Sequence, residues 1–488
     1  MPFNSLQYAL FLPIVVALYW VFPSRRRPTL LLVASYLFYA SYSAPLLLLI
    51  IALTAVNYSF GRALDRGRHQ PRASTALLAL AVSIDLGVLA FYKYTLFLLH
   101  SVARVLGLVG SHPALPEPSI ILPLGISFFT FEFIHYLIEV KRGSQVIRSP
   151  LRFALFAAFF PTQIAGPIKR YQSFIPQLER LPVLEWAQIG DGLRLISIGL
   201  FKKVVLADNL APLVAVGFGA ATGGELPVGD AWLAVIAFAM QIYFDFSGFT
   251  DIARGSARML GFRVPENFHR PYMAVNPSDF WRRWHMSLSS WLRDYLYIPL
   301  GGNRRRRYVN LFLTMLIGGL WHGAAWTFVI WGAFHGALLT GYWGLRRALG
   351  DRLGEHSPLP LERALLTLAS RLATFILVCV GWVFFRASNF GQAMHVLRSM
   401  TGMGGGGNRL LTTRQSLFIL AVAAGCLAVE GVLECRELWE ARRGTAWHMQ
   451  DRLLRLAWYA QPVGYALLLS LTLLLRPSEG PPFIYFHF

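Results

Sequence analysis

The sequence predicts an all-α polytopic membrane protein, and three observations carry that reading. Of its 488 residues, 55% are hydrophobic and only 14% charged, with a mean hydropathy of +0.48. A water-soluble chain of this length carries about a quarter of its residues as charges. Apolar runs recur throughout, at about 76–99, 120–138, 192–218, 231–249, 364–385, 415–434 and 456–475 among others, enough for roughly eleven to thirteen membrane spans of ~20 residues each. The net charge of +20 sits mainly in short loops between these runs. That is the distribution of the positive-inside rule, not of a nucleic-acid surface. No linker divides the runs, so a single membrane domain over 1–488 is expected, with lipid as its surroundings and no nucleic-acid partner.

The N-terminal stretch MPFNSLQYALFLPIVVALYWVFPSRRR places its positive charges after the apolar run, the reverse of a cleavable signal. It reads as an uncleaved first span with the N-terminus outside. Arg25–Arg27 then lie inside, SYSAP (41–45) outside and GRALDRGRHQPR (61–72) inside again. Glycine-rich TGMGGGG (401–407) reads as an external loop, and basic RELWEARRGTAWHMQDRLLR (436–455) as a cytoplasmic connection. The three cysteines, Cys379, Cys426 and Cys435, have no CxxC spacing, which argues against a disulfide framework or a zinc cluster.

Two regions depart from simple spans. FFPTQIAGPIKRYQSFIPQL (159–178) begins apolar but meets Pro161, Gly166 and Pro167 before it can cross a bilayer, so a re-entrant segment is expected, its broken backbone buried in protein or lining a cavity. The stretch 311–345 would form one helix of roughly 52 Å, too long for an upright span. Two helices meeting near Trp321–Trp326 resolve this and put His322 inside the protein, away from lipid. Gly318, Gly319, Gly323, Ala324 and Ala325 around it remove bulk, which permits close helix approach or leaves room for a thin acyl chain.

Three further segments carry polar groups at apolar positions. In SDFWRRWHMSLSSWLRDYLYIPLGGNRRRR (278–307), Trp281, Trp284, Leu288, Trp291 and Tyr295 recur at helical spacing as one face, and Arg282, His285, Ser289 and Arg293 share another. An interfacial amphipathic helix accounts for the tryptophans and arginines but less well for His285. In YFDFSGFTDIARGSARMLGF (243–262), Tyr243, Asp245, Ser247, Asp251 and Arg254 end an apolar run. Carboxylates at membrane depth face a polar cavity or an ion-pair partner; for Asp245 and Asp251, pairing with nearby arginines is favoured over catalysis. In FTFEFIHYLIEVKRG (129–143), Glu132, His135 and Glu139 share a helical face. Such a face can hold a metal, but no Glu-x-x-His partner completes a two-metal site. No metal is therefore expected, and a polar cavity wall or a buried network with an arginine is favoured.

Taken in order, PTQIAGPIKRY, GLFKKVVLADNLA, YFDFSGFTDIARG, ENFHRPY, FWRRWHMSLSSWLRDYLYIPLGGNRRR, GGLWHGAAWTFVIWGAFHG, GWVFFRAS and the terminal PPFIYFHF resemble the membrane-bound O-acyltransferases. The likeness is to the bacterial branch that serves alginate O-acetylation and teichoic-acid D-alanylation. It implies one acyltransferase domain over 1–488, motif-rich at about 120–345, with re-entrant and interfacial helices in a ring around a central tunnel. There a cytoplasmic activated acyl group meets an external acceptor. The family's invariant histidine matches His322, and its second polar position matches His285. Tyr243, Asp245, Ser247, Asp251, Arg282, Ser289, Trp321, Glu132 and His135 are then candidates for substrate binding or the cavity wall. EFIHYLIEV departs from the polar set of polysaccharide-modifying relatives, which leaves the acceptor open.

This chemistry gives His322 a reason to be where it is. Acyl transfer needs a hydroxyl activated where water cannot compete for the donor, and a neutral imidazole can take that proton as attack begins. His285 would orient a substrate or stabilise the developing oxyanion, whereas His335 is assigned to packing or hydrogen bonding. The resemblance implies no bound cofactor; the donor is acetyl-CoA or a carrier derived from it. The acyl group passes to a periplasmic transferase or esterase-like partner of a polysaccharide-export system, or directly to sugar hydroxyls, at the bacterial inner membrane. D-alanyl transfer from a charged carrier protein is the alternative within the family. Outside it stand a proton-coupled transporter, which would call for internal repeat symmetry that is not visible, and an export scaffold, which would survive loss of His322. The basic run from RRWH to GGNRRRR suits an acidic carrier or the phosphates of coenzyme A.

Loop charge predicts that 61–72, 139–150, 250–308 and 436–455 face the cytoplasm and that 100–118, 220–229 and 401–413 face outward. Single engineered cysteines probed in intact cells with an impermeant reagent should label in the second set only. Labelling at position 305 would overturn this topology.

Overall fold

The computed structural model describes residues 1–111, 115–224, 226–350, 360–403, 408–443, 463–477 and 480–484. The described residues are helical or irregular, without a strand, so backbone polar groups are satisfied within segments, as a bilayer requires. Among them, Ala44–Arg66, Pro71–Leu108, Trp186–Ala220, Val228–Met259, Glu362–Arg386 and Thr413–Glu440 are long and apolar enough to cross a membrane. Leu6–Val21 and Val463–Leu474 are shorter apolar helices. Most of the basic connection 436–455 and part of the glycine-rich stretch 401–407 lie outside the described residues.

The chain folds into two compact units, one from residues 1–196 with 249–265, the other from 197–248 with 266–484. The first contains α1 (Leu6–Val21), α2 (Arg27–Ala40), α3 (Ala44–Arg66), α4 (Pro71–Leu89), α5 (Thr95–Leu108), α6 (Ile126–Lys141), α7 (Pro150–Ala158), α8 (Tyr171–Glu179) and most of α9 (Trp186–Leu200). A π-helical segment, Ala90–Tyr94, joins α4 to α5. Every residue of α6 from Ile126 to Leu137 is buried. Its Tyr136 ring lies against α3 at Gly61, where a Cβ would stand 2.6 Å from the ring, so only glycine fits. Between α7 and α8 the chain is irregular but buried from Phe159 to Lys169. The prolines and Gly166 interrupt the helix there, and Phe160 N–H donates to Ser35 Oγ at 3.1 Å.

The second unit contains the π-helical segment Phe201–Ala207, α10 (Asp208–Ala220), α11 (Val228–Met259, up to Gly248), α12 (Pro277–Arg283), α13 (Met286–Leu292), α14 (Arg307–His322), α15 (Trp326–Leu349), α16 (Pro360–Arg386), α17 (Phe390–Met400) and α18 (Thr413–Arg443). The single helix expected across 278–307 is not formed. Trp284 and His285 break it, with His285 at φ 42°, ψ 54° in the left-handed region, so helical spacing is not kept across 283–286. His285 therefore does not share a face with Ser289 and Arg293, whereas Arg282 still lines one cavity with them.

The stretch 311–345 does divide in two: α14 ends at His322, and α15 begins after a three-residue connection in which Gly323 and Ala325 are extended. The glycines explain how closely the two helices pack. A Cβ on Gly319 would strike Phe328 O and stand 2.8 Å from Gly332 Cα; one on Gly332 would stand 2.5 Å from Met315 O. Gly323 is filled in the same way by the Phe328 ring. Close helix approach, rather than room for an acyl chain, accounts for these small residues.

Gly332→Val should therefore push α14 and α15 apart, at a cost of about 1–3 kcal/mol or more, read as a lowered unfolding midpoint in detergent. Gly341→Ala on the same helix, where a Cβ would meet nothing within 4 Å, should not lower it.

Candidate active site

His322 and His285 are brought together in the second unit, their ring centroids 6.3 Å apart, at 3% and 1% exposure. His322 is the last residue of α14, and its plane is fixed by rings that meet it nearly edge-on. Trp321 stands 5.1 Å away at 79°, Trp331 5.1 Å at 86° and Phe385 5.4 Å at 70°. His285 is held against Phe246 at 4.7 Å and 85°, with Trp321 at 6.1 Å. Aromatic walls of this kind exclude water and restrict the tilt of both imidazoles. His335 lies beyond Trp331 at 4.8 Å, packed on Trp281 and over Gly381, whose Cβ would stand 2.7 Å from its Nε2.

A cavity of about 520 Å³ opens beside the turn that carries His285. Met286 and Ser289 of α13 line it, together with Arg282, Arg293, Arg307 and Trp343; the two histidines do not. The lining contains three arginines and no carboxylate. The exposed Arg293 pairs with its half-buried neighbour Asp294 at 2.7 Å, and the Arg307 guanidinium lies 4.2 Å over the Trp343 ring. Ser289 Oγ donates to Trp284 O at 3.1 Å, while Arg282 is exposed. The arrangement combines apolar walls with cationic groups, which suits an anionic ligand with an apolar arm.

The residues around Tyr243–Ser247 serve other contacts in the same unit. Tyr243 O–H donates to Glu430 at 2.6 Å. Asp245 is buried and ion-paired with a lysine, Lys203, at 2.6 Å, and accepts the Ile484 N–H at 2.7 Å. Lys203 also meets Asp208 at 2.7 Å and Pro481 O at 3.2 Å, so this cluster anchors the segment 480–484. The Ser247 hydroxyl is buried and has no hydrogen-bond partner among the described residues.

Residues 31–349 match the model of the membrane-bound O-acyltransferase family, MBOAT. The chain is 41% identical to "Probable alginate O-acetylase AlgI" of Azotobacter vinelandii, over 87% of this chain and 83% of that protein. The chain belongs to the membrane-bound O-acyltransferase family. It is thus a multi-pass membrane protein and an acyltransferase. It is also 38% identical to a peptidoglycan O-acetyltransferase of Helicobacter pylori, over 77% of this chain and 74% of that protein, and 31% identical to a teichoic acid D-alanyltransferase of Bacillus subtilis, over 57% and 73%.

Three of the candidate residues of this acyltransferase lie in the first unit. Asp251 pairs with Arg254, one helical turn on, at 3.6 Å. Glu132 accepts two hydrogen bonds from the buried Lys169 ammonium, at 2.7 and 3.0 Å. His135 Nε2 accepts the Tyr171 N–H at 3.1 Å, and its Nδ1 faces Phe131 O at 3.3 Å. Both fasten the irregular stretch 159–170 to α6. Among the described residues no three of His, Cys, Asp and Glu are grouped to hold a metal ion.

Sequence reasoning passed over Lys169, Lys203 and Asn267, each buried and each bonded to a segment apart from its own. A lysine within an apolar run, as in GLFKKVVLADN, was the available signal for a buried ion pair. It also missed the acidic row on α18. There Glu430 meets Tyr243, Glu434 meets Arg283 and Arg371, and Glu437 meets Arg270.

Proposed function

We propose that this acyltransferase moves acetyl groups from a cytoplasmic activated donor, acetyl-CoA or a carrier derived from it, for O-acetylation of an exported polysaccharide such as alginate. His322 acts as the general base. It takes the proton of the attacking hydroxyl as that oxygen bonds to the acyl carbon, and the donor's C–S bond breaks with the proton passing to the leaving thiolate. His285 orients the reacting group or stabilises the oxyanion. The observation that carries the proposal is the facing of these two buried imidazoles inside an aromatic shell. The arginine-lined cavity next to His285 supports binding of the donor's phosphates there.

Bacterial inner-membrane location, a periplasmic N-terminus and a periplasmic transferase or esterase-like partner belong to the same reading. D-alanyl transfer is less well supported. The teichoic acid D-alanyltransferase match covers 57% of the chain at 31% identity, against 87% at 41% for the alginate O-acetylase match.

Two experiments test the proposal, both scored as acetylation of the exported polymer per membrane-inserted enzyme. His322→Gln keeps the reach of the side chain and its hydrogen bonding but cannot take a proton at neutral pH; it should lose about 10²-fold or more in kcat. Normal acetylation by this variant would remove the general-base role. Neutralising Arg282, Arg293 and Arg307 together should raise the donor KM at low salt with less effect on kcat. An unchanged donor KM in folded protein would remove the donor from this cavity.

A further inference from the structure

His285 occupies a backbone conformation that non-glycine residues rarely adopt, at φ 42° and ψ 54°. Such strain persists only where the surroundings over-determine it, and it collects at functional sites. What over-determines it here lies in the segment 267–269. Asn267 is buried at 0% exposure. Its carbonyl oxygen accepts the Met286 N–H at 2.9 Å. Its side-chain Oδ1 accepts both the Ser287 O–H, at 2.6 Å, and the Ser287 N–H, at 3.3 Å. The Ser287 N–H can only donate, so the atom facing it must be the amide oxygen. Two residues on, His269 N–H donates to Arg283 O at 2.9 Å. The segment is thus tied to the chain on both sides of Trp284–His285, bridging the break between α12 and α13.

The rings alone do not supply this restraint. Phe246 and Trp321 limit the tilt of the imidazole, but the direction in which His285 leaves the backbone is set by the turn. If the turn relaxed toward an ordinary right-handed conformation, α12 would continue into α13 and the side chain would swing away from His322.

We propose that Asn267 is a positioning residue for acyl transfer: through Met286 and Ser287 it holds the strained turn that aims His285 at His322. The proposal rests on the reading of those histidines as the reacting pair. It assigns Asn267 no contact with substrate.

The test is a double-mutant cycle on the full-length protein in membranes, with kcat and donor KM measured per inserted enzyme. Asn267→Leu, similar in size but without an acceptor, should lower kcat roughly 10- to 100-fold, with donor KM within about two-fold of the parent. In a His285→Ala background the same substitution should cost less than about two-fold, because no imidazole remains to be aimed. Equal losses in the two backgrounds, or full kcat for Asn267→Leu while His285→Ala is impaired, would overturn the role of Asn267 alone. Full activity for His285→Ala would instead remove the reading of the histidine pair. Where Asn267→Leu depletes the protein from the membrane, Ser287→Ala decides. It removes one hydrogen bond to Asn267 and should lower kcat only when His285 is present; an equal loss without His285 would overturn the proposal.

Discussion

Backbone meets backbone where Gly319 of α14 faces Gly332 of α15, and the position of His322 follows from that contact. With no side chain between them the two helices close over a connection of three residues, so α14 must stop at His322. Trp331, one residue before the glycine, is thereby brought edge-on to the imidazole. Phe385 of α16 and Trp321 close two more sides. In lipid, where apolar surface gives little drive for helices to associate, such close packing is a main source of cohesion. The same contact that joins the helices therefore builds the shell in which a histidine is kept from water.

Buried charge imposes the second constraint. Each unit carries a lysine in its interior, Lys169 beside Glu132 and Lys203 beside Asp208 and Asp245. Removing one member of such a pair leaves an uncompensated charge, at a cost of about 3–5 kcal/mol. This is why carboxylates that looked like candidates for a substrate cavity turn out to be engaged in holding chain segments: 159–170 in the first unit and 480–484 in the second. The acidic row of α18 does the same toward Arg270, Arg283 and Arg371. Around the histidines, by contrast, the ring contacts are aromatic, and three arginines line the neighbouring cavity.

Composition and loop charge were enough to establish a helical membrane protein, because a bilayer leaves a chain few ways to satisfy its backbone. The break after His322 was legible for a related reason: 311–345 is too long for one span, and its glycines mark where two helices meet. Local spacing misled at 278–307, where the aromatic residues fit a helical period over a stretch that the structure divides. The left-handed turn at His285 is bridged by hydrogen bonds to Asn267, which lies outside that stretch, and nothing between 278 and 307 announces it. Likewise the sequence alone marked Asp245 and Glu132 as buried carboxylates, but which cation each would meet depended on elements far apart in the chain. Most helices and the break after His322 were thus written in local composition and period, and the candidate histidines in the ordered motifs that resemble the family. The facing of His285 and His322, and the lysines that neutralise the interior, were decided only by tertiary structure, because long-range hydrogen bonds and ion pairs leave no periodic trace in sequence.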